Sequence, residues 1–287
     1  MEKLWASNFS ASSADLLALG IPLGKNSEKV LRFLRKTSLF FETFDVDKRR
    51  GLKLRICDLG NLKFKKPRQI TEKIREIVRK GKVPLILSKS HLASFFSIQA
   101  FEKELKIVIF DAHADLRNEY WDEKVKDSVY PLNFEKKNSS YNCATWLRRL
   151  IEKGYKNVVL VGLRACSEDE LEFLETNKIL YFTSRAIKKD LKDVRKKLEK
   201  FARSSKLYVS LDMDVFDPPI APAVDHPEPN GLNFQEFSEL VEGIARGKFV
   251  GLDLAEICLT EKKLMEITSF LALKALFEIL LRIRPNL

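Results

Sequence analysis

Asp111, His113 and Asp115 follow directly on an apolar run, in the stretch IVIFDAHADL (107–116). Carboxylates and an imidazole at every second position are metal-ligand chemistry. In extended backbone, residues two apart point to one side, so these three can reach a common centre. A second acidic set repeats the pattern: Asp212, Asp214 and Asp217 follow KLYVS in SLDMDVFDPP. His91 follows VPLILS, and Glu256 follows FVGLDLA. Asp111, Asp115, Asp212 and Asp214, packed together, would repel and raise one another's pKa. Divalent cations remove that penalty. One ion leaves several carboxylates poorly compensated, so two ions bridged by shared aspartates fit better. Oxygen-rich ligation with a minority of imidazole favours Mn²⁺ over a thiolate-type zinc site. Two such metals, about 3.5–4 Å apart, would activate a bridging water. Taken singly, each motif also reads as a polar turn after a strand. Their joint occurrence at strand ends weakens that reading.

Those residues need elements to hold them. Val/Ile/Leu-rich runs predict strands at 53–59, 83–88, 106–112, 157–163, 179–183, 206–212 and 249–257, covered on both faces. Helical patterns fall near 68–81, 92–104, 145–153, 168–176, 185–203 and 233–246, with a closing helix at about 262–283. Strand–helix alternation implies an α/β fold, a mostly parallel sheet with helices on both sides. Ligands then bind outside the carboxyl ends of the strands, which is where the metal-grade residues lie. No internal repeat or linker is visible, so residues 1–287 are expected to form a single domain.

Composition narrows the function classes. The net charge is +11, from 51 Lys+Arg against 40 Asp+Glu. The densest basic stretch, 184–206, carries Ile187, Leu191, Val194, Leu198 and Phe201 at helical spacing, with Lys, Arg and acids between them. That is a solvated helix face, and no aromatic platform interleaves the charges as single-strand binding would favour. Nucleic acid is therefore not expected as a partner. The start is no signal peptide, and the apolar stretch FLALKALFEILL is interrupted by Lys274 and Glu278, so it reads as a core helix and not a span. Cys57, Cys143, Cys166 and Cys258 form no C-x-x-C pair. A cytoplasmic protein with reduced thiols is expected.

The motifs carry a family resemblance. DAHAD (111–115) and SLDMDVFDPPIAPAVDHPEPNGL (210–232) are similar to the D-A-H-x-D and S-x-D-x-D-x-x-D-P-x-x-A-P motifs of the ureohydrolase superfamily, which includes arginase, agmatinase and formiminoglutamase. GIPLG (20–24), VGLRACSEDE (161–170) and GLDLAEI (251–257) extend the likeness over most of the chain. The resemblance implies a three-layer α/β/α fold and a binuclear manganese site. His91, Asp111, Asp115 and Asp212 would hold one ion; Asp111, His113, Asp212 and Asp214 the other, with Asp111 and Asp212 bridging. It implies hydrolysis of a small guanidino substrate to urea and an amine, with Glu256 pairing with the guanidinium. It also implies a homo-oligomer, a trimer or hexamer.

Three departures stand out. The family's G-G-D-H-S reads SKSHL (88–92) here, keeping only His91. H-G-T-P-L-R-R-L becomes CATWLRRL (143–150), so Cys143 stands at the proton-shuttle histidine. The family's T-G-T-P is replaced around Asp225 and His226, so His226 becomes a candidate shuttle from another wall of the pocket. Cys143 is a weaker one, since a thiol is no obvious substitute. Segment 117–142 lacks the usual arginase loop for an α-amino acid, which makes the chain agmatinase-like.

Overall fold

The computed structural model describes residues 2–119 and 140–283. Its core is one eight-stranded sheet: β1 (Leu16–Ile21), β4 (Ile56–Asn61), β5 (Val83–Ser88), β6 (Lys106–Phe110), β7 (Val158–Leu163), β8 (Leu180–Thr183), β9 (Lys206–Asp212) and β10 (Lys248–Ala255). The order is β4-β1-β5-β10-β9-β6-β7-β8, and every pairing is parallel. A small antiparallel pair, β2 (Phe44–Asp45) and β3 (Arg50–Gly51), stands apart.

Strand alternation sends successive side chains to opposite faces, and each face is roofed by helices. Val108 and Phe110 of β6 join one core, under α1 (Ser27–Ser38), α7 (Leu191–Ala202), α8 (Phe234–Ile244) and α9 (Lys262–Leu280). Ile107 and Ile109 join the other, under α2 (Arg68–Arg79), α3 (Leu92–Ile98), α4 (Trp146–Glu152) and α5 (Glu168–Thr176). The result is the expected three-layer α/β/α arrangement. α9 is the anticipated core helix, with Ala272, Leu273, Leu276 and Ile279 fully buried. No helix of the described residues is long and apolar enough to cross a membrane.

All seven expected strands are present, β5 and β9 with the expected ends and the others with ends shifted by a few residues. β1 is an addition. Its LLALGI lacks β-branched residues until the last, so local propensity does not separate strand from helix. Pairing decides it, with Leu16 opposite both Ile56 and Val83. α1 is also additional. The expected helix 185–203 is in fact two, α6 (Ser184–Lys189) and α7. Asp190 leaves helical conformation between them (φ −149°, ψ 77°), and its side chain caps Asp193 N. α3 ends at Ile98, well short of the expected 104.

Candidate active site

The carboxyl ends of β5, β6, β9 and β10 meet where β10 lies between β5 and β9 and β9 lies beside β6. β5 delivers His91 at the start of α3, completely buried. Its ring packs on Trp146 with centroids 4.6 Å apart. Its backbone N–H donates to Glu256 Oε1 at 2.7 Å, while Glu256 N–H donates to Lys89 O at 3.0 Å. These two bonds lace the end of β5 to the end of β10.

The His91 ring is held from both sides. Nε2 meets Ser210 Oγ at 2.8 Å. Ser210 in turn donates to Asp253 Oδ1 at 2.7 Å, and Tyr208 donates to Asp253 Oδ2 at 2.7 Å. With its own proton committed to Asp253, Ser210 accepts from Nε2–H, which turns the Nδ1 lone pair the other way. There Nδ1 faces Asp111 Oδ2 at 3.0 Å, Asp212 Oδ2 at 3.1 Å and Asp115 Oδ2 at 3.2 Å. It is buried, yet none of these oxygens lies in line for a hydrogen bond. A lone pair among three carboxylate oxygens requires a positive charge between them, a proton or a metal ion.

A second grouping adjoins the first. His113 Nδ1 lies 2.8 Å from Asp214 Oδ2 and 3.7 Å from Asp111 Oδ1. Two sets of potential ligand atoms result, His91–Asp111–Asp115 and Asp111–His113–Asp214, and Asp111 belongs to both. Asp212 reaches the first set through His91, and its Oδ1 accepts Asp214 N–H at 2.8 Å. All six residues proposed as ligands from the sequence therefore converge.

The reason they converge differs from the one inferred from spacing. β6 ends at Phe110, and Asp115 adopts a left-handed conformation (φ 53°), so 111–115 is not a continuous strand face. The chain turns, sending Asp115 to His91 and His113 to Asp214. Asp212 is the last residue of β9, and Asp214 sits in a 3-10 turn, Met213–Val215. Side chains local to the motif build these turns: Asp111 Oδ1 accepts His113 N–H at 2.6 Å, and Asp214 Oδ1 accepts Ala112 N–H at 3.0 Å. Glu256 is likewise left-handed (φ 62°). For a non-glycine residue that costs energy, and such positions cluster at functional sites.

The electrostatics follow from burial. Burial, together with Asp214 and Asp111, pushes Asp212 well above the usual carboxylate range. Burial and Asp111 push Asp115 up to about 6. Burial works against charge on His113, but Asp111 and Asp214 outweigh it and raise the imidazole to about 12. Burial would also raise Asp111, but hydrogen bonds from His113 and His91 hold it below its ordinary value. In the absence of metal the cluster therefore stores protons, which a cation must displace. Metal affinity should rise with pH between about 5 and 8, and loading at pH ~6 should release on the order of one proton or more. Calorimetric titration in two buffers of different ionisation enthalpy measures the release. Identical heats in both buffers would contradict it.

The clusters open into a cavity of about 560 Å³, lined also by Glu256, His226, Cys143, Cys166, Arg117 and Glu228. His226 is exposed at the mouth, edge-on to His113 with centroids 6.1 Å apart. Desolvation by the surrounding cavity wall and the neighbouring His113 lower its pKa. Of the divergent segment 117–142, residues 120–139 lie outside the described residues.

Residues 29–282 match the model of the arginase family. The chain belongs to the arginase family. It is 30% identical over 285 residues to an agmatinase of Pyrococcus horikoshii, covering 93% of this chain and 91% of that one. It is 32% identical over 252 residues to an uncharacterised 32.2 kDa protein of Methanothermus fervidus, covering 83% and 82%. The agmatine ureohydrolase of Thermoplasma volcanium shares its fold at a TM-score of 0.81 and 26% identity, over 98% of this chain and 94% of that one. The protein is thus an agmatinase-like ureohydrolase of the arginase family, an enzyme class that hydrolyses guanidino bonds.

Set against the family pattern, two of its departures prove to be one feature. Lys89 stands at a glycine of G-G-D-H-S and Asp225 at the glycine of T-G-T-P, and their side chains form an ion pair across the site wall. Burial disfavours the Lys89 ammonium, but Asp225 and Glu256 together raise its pKa. The pair also tethers the loop that carries His226. Both partners are partly exposed, with side chains 19% and 31% accessible, so a coupling energy of roughly 1–2 kcal/mol is expected between Lys89→Ala and Asp225→Ala. A double-mutant cycle in urea denaturation measures it. A coupling below about 0.3 kcal/mol would mean that the two departures are independent.

Several supporting residues escaped sequence reasoning. Trp146 Nε1 donates to Asp115 Oδ2 at 2.6 Å, behind the His91 ring. Glu170 caps α5 with Ser167 and also accepts Leu116 N–H at 2.9 Å. Ser210 and Asp253 did leave a signal, as polar residues facing inward from apolar strands, where burial demands a partner.

Proposed function

We propose that this enzyme hydrolyses a linear guanidino compound of the agmatine type, releasing urea and an amine, with two Mn²⁺ ions bound at the carboxyl edge of the sheet. The observation carrying this is the buried Nδ1 of His91 facing three carboxylates at the floor of a cavity that also contains Glu256. His91, Asp111, Asp115 and Asp212 would hold one ion, and Asp111, His113, Asp212 and Asp214 the other. Two imidazoles among oxygen donors suit manganese. When bound, the ions supply Lewis-acid chemistry and lower the pKa of water.

The chain's own residues do the rest. Burial and Asp225 push Glu256 up to about 8, against the pull of Lys89. An incoming guanidinium supplies the missing charge, so Glu256 ionises as it binds and orients the planar cation. His226, neutral near pH 7, can accept a proton at the cavity mouth and return it to the leaving amine. Cys143 lines the same cavity and is the second candidate for that transfer. His226→Ala decides between them: unchanged turnover removes His226 from the mechanism.

The deciding experiment is a urea-release screen of the Mn²⁺-loaded protein across guanidino compounds, including agmatine and aminopropylated agmatine. Glu256→Gln should lower kcat/KM by about 10²-fold, the loss of a charge-assisted bidentate pair. A second reading, a metal-holding homologue with weak catalysis or a different C–N substrate, draws on the Lys89 ammonium beside Glu256. It gains if no compound yields urea while two metal equivalents remain bound.

A further inference from the structure

At the opposite, amino-terminal edge of the sheet a second cavity, of about 940 Å³, is walled by three helix-to-strand connections. Gly81–Lys82 lead into β5, 203–206 into β9 and 245–248 into β10. Each brings cations: Lys82, then Arg203 and Lys206, then Arg246 and Lys248, with Arg282 beyond α9. No acidic side chain lines the cavity among the described residues. Its apolar part includes Phe101 and Phe249.

The cations here outnumber the carboxylates that pair with them. Arg203 and Arg246 share one carboxylate, Glu199, at 2.9 and 3.2 Å. Arg282 is satisfied by Glu242 and Glu278 at 2.7 and 3.0 Å. Lys82 donates to the carbonyls of Ser12 and Ala14 and lies within the electrostatic reach of Asp15. Lys206 and Lys248 have no ion-pair partner among the described residues. They are also direct register partners on adjacent parallel strands, so both project from the same face. Like charges directly opposite destabilise a sheet.

We propose that this cavity is a binding site for a phosphorylated small molecule of about nucleotide size. Its phosphates would lie between Lys206, Lys248, Arg203 and Arg246, relieving their repulsion, and its apolar or planar part against Phe101 and Val250, which pack on the same face of the sheet as the two lysines. The volume lies in the range of small-ligand sites. A concave cavity with an apolar wall at Phe101 suits a compact ligand better than a nucleic-acid backbone, which needs an extended basic stripe. The site is remote from the metal-ligand cluster: Lys206 and Asp212 stand at opposite ends of β9, about 20 Å apart at ~3.3 Å per residue.

Calorimetric titration of the full, EDTA-treated chain with ATP, at about 50 mM salt, tests the proposal. One saturable site is expected, with inorganic triphosphate competing for it. Lys206→Gln/Lys248→Gln should weaken ATP binding by about tenfold or more. Lys197→Gln, on α7 outside the cavity, should bind ATP as the wild type does. Without ligand the double variant should melt higher than wild type, because the opposed charges are gone. Absent saturation, undiminished binding to the double variant, or a lower melting point of that variant would overturn the site. So would a DNA duplex that displaces ATP while binding more tightly, which would reassign the surface to nucleic acid.

Discussion

Asp212→Asn is expected to move metal binding and metal-free stability in opposite directions. In the proposed centre Asp212 would be a ligand of both ions, so its loss should lower metal content below two equivalents and cut urea release by about 10³-fold, several kcal/mol of transition-state stabilisation. The metal-free fold should gain. Burial and the neighbouring Asp214 and Asp111 raise the Asp212 pKa well above its ordinary 3.8. A carboxyl with a raised folded-state pKa contributes stability that is complete below the unfolded value and lost as pH rises through the folded one. Asparagine cannot ionise and keeps that stability. The melting temperature of the metal-free variant should therefore exceed wild type by about 2–4 °C at pH 7, and the advantage should vanish near pH 4. Asp111→Asn serves as the contrast. His113 and His91 hold the Asp111 pKa below its ordinary value, so the metal-free protein should lose stability with that change. Melting curves with and without EDTA, alongside metal analysis, separate the two. An Asp212→Asn protein that retains two metal ions would refute the proposed ligand role.

Arg164→Ala should produce the largest stability loss of any change near the site that leaves the proposed ligands intact. The Arg164 guanidinium donates to six backbone carbonyls. They are Gly162 at 3.2 Å, Asp214 at 2.6 Å, Val215 at 3.3 Å, Phe216 at 3.3 Å, Glu228 at 2.8 Å and Pro229 at 3.1 Å. One side chain thus ties the end of β7, the turn bearing Asp214 and the loop after His226. Removal leaves part-buried acceptors unsatisfied, at a cost of roughly 3–5 kcal/mol and a drop of about 10 °C in Tm. Metal affinity should fall too, since Asp214 loses its support. Arg164→Lys should recover little, because an ammonium cannot fan out to six acceptors as the planar fork does. If the Lys variant melts within about 2 °C of wild type, the clamp is not what holds the loop.

Gly162 shows why such a clamp is needed. It has φ 104°, and a β-carbon there would come within 2.6 Å of Val215 and 3.2 Å of Asp111 O. Only glycine lets β7 pass this close to the two acidic turns, and Arg164, two residues on, then fastens them.

What the linear chain determined is the layer pattern and the chemistry. Unbroken apolar runs such as 107–110 and 158–161 demand a core on each face of the sheet, and strands covered on both faces demand helices between them. The motifs around Asp111 and Asp212 supply acids that belong at strand ends, because only there does the chain leave the core. Sequence spacing could not say how those acids meet. Asp115 and Glu256 enter the site through left-handed backbone conformations that no local propensity favours, held by contacts with Trp146, His91 and Lys89. The pairing of Lys89 with Asp225 spans 136 positions, and the six acceptors of Arg164 come from three separate segments. Tertiary structure alone decided these, because buried polar groups take whichever partners the packed strands bring within reach, and the distance along the chain does not enter that choice.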